Sequence, residues 1–230
     1  MRRAGRILLL AICTASFGAP ASALLIDNFS SPDDYSFSAG SAWVSSTTQY
    51  LDPADTLGGA RGWSLKANGS GEMAYFSFPE GGGSADLTAG VSGGILRLRY
   101  GQDASGAPTI LLPFDLTEGG TLNRFEVDLS AVSVTGLLEV GVRQDSDGAN
   151  FFASVAVSAP GLVSIPYSSF SGSPDFTDID LISFEFSTES TGTIEFTEFR
   201  AVPEPSVASL MAVGLLSLAA WRATSRGDPE

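Results

Sequence analysis

The stretch Arg124-Phe125-Glu126-Val127-Asp128-Leu129 decides the fold class of this chain of 230 residues. Its apolar residues occupy every second position, and charged residues occupy the positions between them. Successive side chains of a β-strand point to opposite faces, so this alternation predicts a strand that is buried on one face and solvated on the other.

The same alternation recurs along the chain, and Gly, Asp, Ser and Pro separate the runs. Upstream, the stretch 96–100 places Arg97 and Arg99 between three apolar residues. Further strands are predicted at 25–29, 42–49, 61–67, 73–78, 110–115, 138–142, 151–157, 161–166, 182–186 and 194–196.

Two glycine- or aspartate-rich stretches punctuate these strands. The stretch 80–94 is predicted to be a loop, and 145–150 a hairpin-like turn. About a dozen short strands that each bury one face predict an all-β fold, a two-sheet antiparallel β-sandwich of the jelly-roll type over residues 24–200.

Residues 1–23 have the pattern of a secretory signal peptide. Arginines within residues 2–6 precede the apolar run 7–12, and Ala21 and Ala23 supply the small residues of a cleavage site. The apolar run is too short to span a bilayer, so we expect a signal peptidase to cut after Ala23. Lipidation of Cys13 is the weaker alternative, because a large residue precedes it.

The mature chain lacks two residue types that many active sites need. The sequence has no histidine, and its single cysteine lies in the predicted signal peptide. These absences exclude Ser-His-Asp and Cys-His catalysis, zinc sites built from thiolate or imidazole, and disulfides.

The chain is strongly acidic, with a formal net charge of −14. Between Leu24 and Pro205 there are seven basic and 24 acidic residues. Nucleic acid is a poor partner for such a body, because a phosphate backbone is bound through cations. Calcium and neutral or cationic glycans match the charge better, and solubility outside the cell is the simplest explanation of it.

The composition changes after Arg200. The tetrapeptide Val202-Pro203-Glu204-Pro205 contains two prolines, which lack amide donors, and is predicted to lie outside the sheets. The apolar run 206–224 would form a helix about 28 Å long, close to the ~30 Å thickness of the hydrocarbon layer. We predict a transmembrane helix over about 206–224, within a tail of residues 201–230. A buried C-terminal helix is the alternative.

This order of features resembles the PEP-CTERM sorting domain, and residues 202–226 carry the resemblance. It implies that an exosortase, a membrane peptidase, acts at Val202-Pro203-Glu204-Pro205. The protein would be exported, anchored in the membrane by its C-terminal helix before processing, and located at the cell surface or in the extracellular matrix afterwards.

The body resembles the galactose-binding-like jelly rolls of carbohydrate-binding modules. The resemblance rests on the opening strand at 25–29, on Ser168-Ser169-Phe170, and on the strands around 178–184 and 194–196. It implies that the first strand pairs near the last and that the Ser-Ser-Phe turn precedes the penultimate strand.

Two sets of carboxylates are candidates for a structural calcium site, and no other cofactor is predicted. Asp27 and Glu195 lie on the predicted first and last strands, where the resemblance implies calcium. Asp145 and Asp147 lie in the predicted turn, although Asp-Gly is also what a hairpin turn requires. A surface carboxylate pair and a plain turn are the respective alternatives.

Four residues are candidates for contacts with a sugar: Trp43, Trp63, Arg97 and Arg99. An exposed indole offers a flat apolar platform, and a guanidinium binds a glycan hydroxyl or carboxylate. Trp63 shares its strand face with Arg61 and Leu65, so burial in the core is an equal alternative. For the arginines the alternative is pairing with neighbouring acids.

Three functions are compatible with these features. The interpretation we favour at this stage is a non-catalytic, exported cell-surface protein associated with extracellular polysaccharide. The first alternative is a carbohydrate-binding module with a specific glycan ligand. The second is a carboxylate-dependent glycosidase, which needs two carboxylates about 5–10 Å apart across a cleft. No acid pair stands out, so we expect no enzymatic activity.

Overall fold

A computed structural model of the chain describes residues 22–30, 35–45, 49–78, 85–101, 114–144 and 149–203. These residues form fourteen strands in chain order: β1 (Leu24–Asp27), β2 (Tyr35–Ala39), β3 (Val44–Ser45), β4 (Gln49–Tyr50), β5 (Ala60–Ala67), β6 (Ala74–Phe78), β7 (Ala85–Ala89), β8 (Gly94–Tyr100), β9 (Leu122–Val132), β10 (Gly136–Gln144), β11 (Ala149–Val157), β12 (Gly161–Pro166), β13 (Leu181–Thr188) and β14 (Gly192–Pro203). Two short 3₁₀ turns, Leu57–Gly59 and Tyr167–Ser169, complete the described secondary structure.

The strands form two antiparallel sheets. Sheet A places β12, β9, β14, β7, β6 and β2 side by side, and β1 also pairs with β14. Sheet B places β11, β10, β13, β8, β5 and β3 side by side, and β4 also pairs with β5. The sheets pack face to face as a jelly-roll β-sandwich, which confirms the predicted fold.

The core lies between the sheets and is rich in phenylalanine. Phe184 on β13 and Phe196 on β14 meet edge to face, with ring centroids 4.9 Å apart. Phe125 and Phe199 are also fully buried between the sheets. The inward positions of β8, β9, β10 and β13 are the apolar positions of the predicted alternation, so the pattern in the sequence becomes the core of the protein.

Two connections expected from the resemblance are present. Leu24 at the start of β1 pairs with Ala201 near the end of β14, so the first and last strands are neighbours. The turn Tyr167–Ser169 precedes β13, and Phe170 after it packs into the core.

The structure corrects two predicted boundaries. The stretch predicted as a loop at 80–94 contains strand β7, whose Leu87 is buried between β6 and β14. Strand β14 continues beyond Arg200, because Val202 pairs with Arg124 and Pro203 with Leu122 on β9. On the other side of β14, β1 begins at Leu24 opposite Ala201 and does not reach Pro203, so on that side the missing amide donor of Pro203 costs no ladder bond.

Among the described residues, no helix is long and apolar enough to cross a membrane. The predicted transmembrane segment 206–224 lies outside these residues, as do Glu204, Pro205 and the signal peptide as far as Ala21. Ala23 is described and is exposed directly before β1.

Candidate functional site

The outer face of sheet B, called the B face below, carries the polar residues of the predicted ligand site. Its central row crosses five strands, because the registers of β5, β8, β13, β10 and β11 place one outward side chain of each strand opposite the next. The row consists of Ser64, Arg97, Glu185, Glu139 and Ser154.

An ion pair occupies the middle of this row. Arg97 Nε donates to Glu185 Oε2 at 2.7 Å, and the Arg97 side chain remains about one-third exposed. The guanidinium also lies 5.2 Å from the ring centroid of Trp43, and Lys66 Nζ lies 5.8 Å from the same centroid. Trp43 is 43% exposed, so its ring covers the two cations and still offers surface to solvent.

Two carboxylates face each other next to the ion pair. Glu139 on β10 lies directly opposite Glu185 on β13. Burial raises the pKa of Glu139, the Glu185 charge raises it further, and Arg97 opposes both effects. Like charges directly opposite on neighbouring strands are destabilising, so Arg97 compensates for an unfavourable pair.

An aromatic ring closes the other end of the B face. Phe152 on β11 is 42% exposed. Its ring lies over Gly141, because a Cβ at Gly141 would come within 2.8 Å of that ring and within 2.4 Å of Ser183 Oγ. The absence of a side chain at Gly141 therefore leaves room for the Phe152 ring. Trp43 directly precedes β3, and Phe152 lies on β11; β3 and β11 are the two ends of the strand order of sheet B, five spacings of about 4.8 Å apart.

A groove with a volume of about 560 Å³ continues the B face at the end where β10 begins. Its floor includes Ile95 and Leu137, which are outward residues of β8 and β10. Asn68, Ser187 and Ser190 line it with polar atoms. A groove that combines apolar side chains with hydroxyl and amide groups suits a ligand that has both apolar and polar surfaces.

A second ion pair lies inside the sandwich. Asp27 on β1 and Arg61 on β5 are both fully buried, and Arg61 Nη1 donates to the two Asp27 oxygens at 2.9 and 2.8 Å. The Tyr100 hydroxyl and the Phe29 amide also donate to this carboxylate. Burial raises the pKa of Asp27, and Arg61 opposes the shift. The arginine also stacks on Phe78, 3.6 Å from its ring centroid.

The structure does not bring Asp27 and Glu195 together, in contrast to the calcium site that the sequence predicts. Asp27 lies opposite Phe199 and points into the core, whereas Glu195 lies four residues away along β14, about 13 Å, on the outer face. Arg61 already supplies the positive charge that Asp27 needs. Asp145 and Asp147 lie outside the described residues. Within the described ranges, no cluster of three or more acidic, histidine or cysteine side chains could hold a metal ion.

The predicted sugar contacts divide into two groups. Trp43, Arg97 and Arg99 share the B face. Trp63 instead points into the core, is only 5% exposed, and packs on Phe37 with ring centroids 3.8 Å apart, so it is corrected to a core residue. Burial of Trp63 was an equal alternative from the sequence, because Trp63 lies on the same face of its strand as Leu65.

Sequence reasoning missed three members of the B face: Glu139, Gly141 and Phe152. The doublet of Phe151 and Phe152 was a usable signal, because two adjacent residues of a strand cannot both point into the core. Glu139 and Gly141 carry no local signal, since their role depends on the register of β10 with β13 and β11.

Comparisons with known proteins find similarity at the level of solved structures. No protein-family model matches the sequence, and no curated protein matches it. The family 11 carbohydrate-binding module of a cellulosomal cellulase from Clostridium thermocellum is 17% identical, with a TM-score of 0.42 over 80% of this chain and 96% of that chain.

Two further structures show a similar relationship. A family 11 module from Clostridium thermocellum in complex with a β-1,3-1,4-mixed-linked tetrasaccharide is 15% identical, with a TM-score of 0.41 over 80% of this chain and 98% of that chain. An exo-β-agarase is 14% identical, with a TM-score of 0.40 over 80% of this chain and 25% of the enzyme. Such TM-scores assign neither a family nor a ligand to this chain, so its function has to be argued from its own surface.

Proposed function

We propose that this protein is a non-catalytic carbohydrate-binding protein that holds an extended glycan chain across the B face. The observation that carries the proposal is the row of polar side chains between two exposed aromatic rings. Trp43 and Phe152 lie at opposite ends of the face, and hydroxyl, guanidinium and carboxylate groups lie between them. Sugars have apolar ring faces and polar edges, which match aromatic surfaces and hydrogen-bonding side chains respectively.

The arrangement of carboxylates supports binding more than hydrolysis. Glu139 and Glu185 project side by side from neighbouring strands of one sheet. A glycosidase instead needs an acid and a base or nucleophile on the two sides of the scissile bond. Arg97 also binds Glu185 and opposes the rise in the pKa of Glu139. We therefore expect binding without turnover.

Substitution of the two rings tests the proposal. Trp43→Ala and Phe152→Ala should each weaken binding to a glycan by about tenfold, as measured by calorimetry with the hit of a glycan array. Tyr75→Ala is the matched control, because Tyr75 is a 53% exposed aromatic on the outer face of sheet A. Binding that survives both substitutions, or that falls equally in the control, would refute the B face as the site.

We also propose that the protein is exported and sorted through its C-terminal tail, as its signal peptide and its Pro-Glu-Pro motif suggest. The position of Pro203 sharpens the test, since a truncation after Arg200 would also remove the paired residues Val202 and Pro203. Membrane fractionation should therefore compare the full chain with a truncation after Pro203. Mass spectrometry of the released species locates any cut. An unchanged location after truncation would remove the support for sorting.

A further inference from the structure

The basic residues of this acidic protein are unevenly distributed. Of the seven between Leu24 and Pro205, Arg61 is buried with Asp27, and Arg124 and Arg200 bind Glu126 on the outer face of sheet A. The other four all project from the B face: Lys66, Arg97, Arg99 and Arg143.

The acidic residues show the reverse distribution. Among the described strands of sheet B, the carboxylates on this face are Glu139 and Glu185. The outer face of sheet A carries four described carboxylates for two arginines: Glu126, Asp128, Glu195 and Glu198. Within the described strands, the B face thus carries more cations than carboxylates, in a chain whose formal net charge is −14.

Three of the four cations keep no described carboxylate as a partner. Arg97 pairs with Glu185, but none of the ion pairs among the described residues involves Lys66, Arg99 or Arg143. Within the same part of the chain, Arg143 Nε is buried and has no hydrogen-bond partner. Within the described part of the chain, these three cations therefore have no carboxylate partner and can bind another group.

The neighbours of Arg99 are small. Gly62 and Ser183 lie directly opposite Arg99 on the two adjacent strands, and Gly141 follows in the same row. A guanidinium between small residues can present its planar edge outward and donate two parallel hydrogen bonds to a carboxylate. Burial lowers the pKa of Arg99, the Arg97 charge lowers it further, and the Glu185 charge opposes both effects. Glu185 thus offsets only part of the repulsion between the two arginines, and an added anion would reduce it further.

From this placement we propose that the B face selects glycans that carry carboxylates, such as polymers of uronic acids, over neutral ones. The inference rests on the proposed function and names its substrate class. It differs from the expectation based on net charge alone. Packed sheets are about 10 Å apart, and the screening length at physiological salt is about 8 Å, so the acids of sheet A contribute little at the B face. The local cations therefore decide which glycan binds.

A matched pair of polymers tests the inference on the full chain, purified in detergent. The probes are polygalacturonate and the same polymer after chemical reduction of its carboxyl groups, compared by affinity electrophoresis and calorimetry. We expect at least tenfold tighter binding of the polyuronate, and this advantage should shrink as salt is raised.

Two variants of equal charge locate the effect. Arg99→Gln should abolish most of the preference, whereas Arg200→Gln, which removes the same charge from the outer face of sheet A, should leave it intact. Equal affinity for the two polymers would overturn the inference while leaving glycan binding established. An equal loss in both variants would also overturn it, since the selectivity would then not lie on the B face. Failure of both polymers and of every neutral glycan on an array would refute the proposed function itself.

Discussion

The two arginine–carboxylate pairs of this protein use the same chemistry in opposite environments. Asp27 and Arg61 are fully buried between the sheets, whereas Glu185 and Arg97 lie on the B face. The buried carboxylate accepts bonds from Arg61, Tyr100 and a backbone amide. The surface pair instead keeps one-third of Arg97 open to solvent. We therefore assign the first pair to folding and, under the proposed function, the second pair to glycan recognition.

Removal of Arg61 should produce the largest effect on stability. Arg61→Met leaves the Asp27 charge buried without its partner, which should lower the free energy of unfolding by about 3–5 kcal/mol. Denaturant titration measures the change. The double variant Arg61→Met with Asp27→Asn should lose less than the single variant, because no buried charge then remains. A loss below about 1 kcal/mol for Arg61→Met would contradict the assignment of the buried pair to folding.

Removal of the tyrosine hydroxyl should have the next largest effect. Tyr100→Phe removes the 2.9 Å bond to Asp27 Oδ2 but retains the ring in the core. We expect a loss of about 1–3 kcal/mol in the free energy of unfolding, because the carboxylate loses one of its buried donors. Tyr75→Phe, at an exposed position, is the control and should change stability by less than about 0.5 kcal/mol.

Arg97→Gln should have the opposite profile to Arg61→Met: a small effect on stability and a large effect on glycan binding. The pair with Glu185 is partly exposed, so its loss should change the free energy of unfolding by at most about 1 kcal/mol. Glycan affinity should nevertheless fall about tenfold, since Arg97 also positions Trp43. Calorimetry and denaturant titration on the same preparation separate the two effects. A large loss of stability with unchanged affinity would contradict the assignment of this pair to recognition.

The smallest effect should come from Asp115, a fully exposed carboxylate that sharpens the contrast with Asp27. The Thr117 hydroxyl and the amides of Thr117 and Gly119 lower the pKa of Asp115, whereas burial raises the pKa of Asp27. A lowered pKa contributes stability above about pH 4 that is lost as the pH falls through the folded-state pKa. Asp115→Asn should therefore be less stable than wild type near neutral pH, and the difference should vanish in acid. A difference that persists at the lowest pH would contradict this account.

Much of the fold could be predicted from the sequence because alternation and burial are local signals. The stretch 124–129 and the strand containing Arg97 and Arg99 behave as their patterns indicate. Strand β7 could not be predicted, because the glycines on both sides of it favour a loop. Pro203 was placed outside the sheet by a rule for strand interiors, and it is instead the last residue of β14, opposite Leu122 on β9.

The site was less predictable, because its members meet through register. Asp27 and Arg61 are 34 residues apart in the sequence. The residues around each of them give no local signal that the two side chains form a buried ion pair. Asp27 therefore looked like a calcium ligand, and its real counter-ion came from another sheet. Arg97 and Arg99 were found because they are unusual in an acidic chain. Glu139, which lies 40 residues after Arg99 in the sequence, was not found.

The pairing of Leu24 with Ala201 has a mechanical consequence. The two ends of the described body leave the same end of sheet A from adjacent antiparallel strands. A pull applied between these ends would open the bonds of β1 and β14 one after another, which takes little force. A pull between the B face and the C-terminal end instead loads β14, which pairs with β9 on one side and with β7 and β1 on the other. A body tethered at its C-terminal end and bound to a polymer is thus loaded through its better-supported strand.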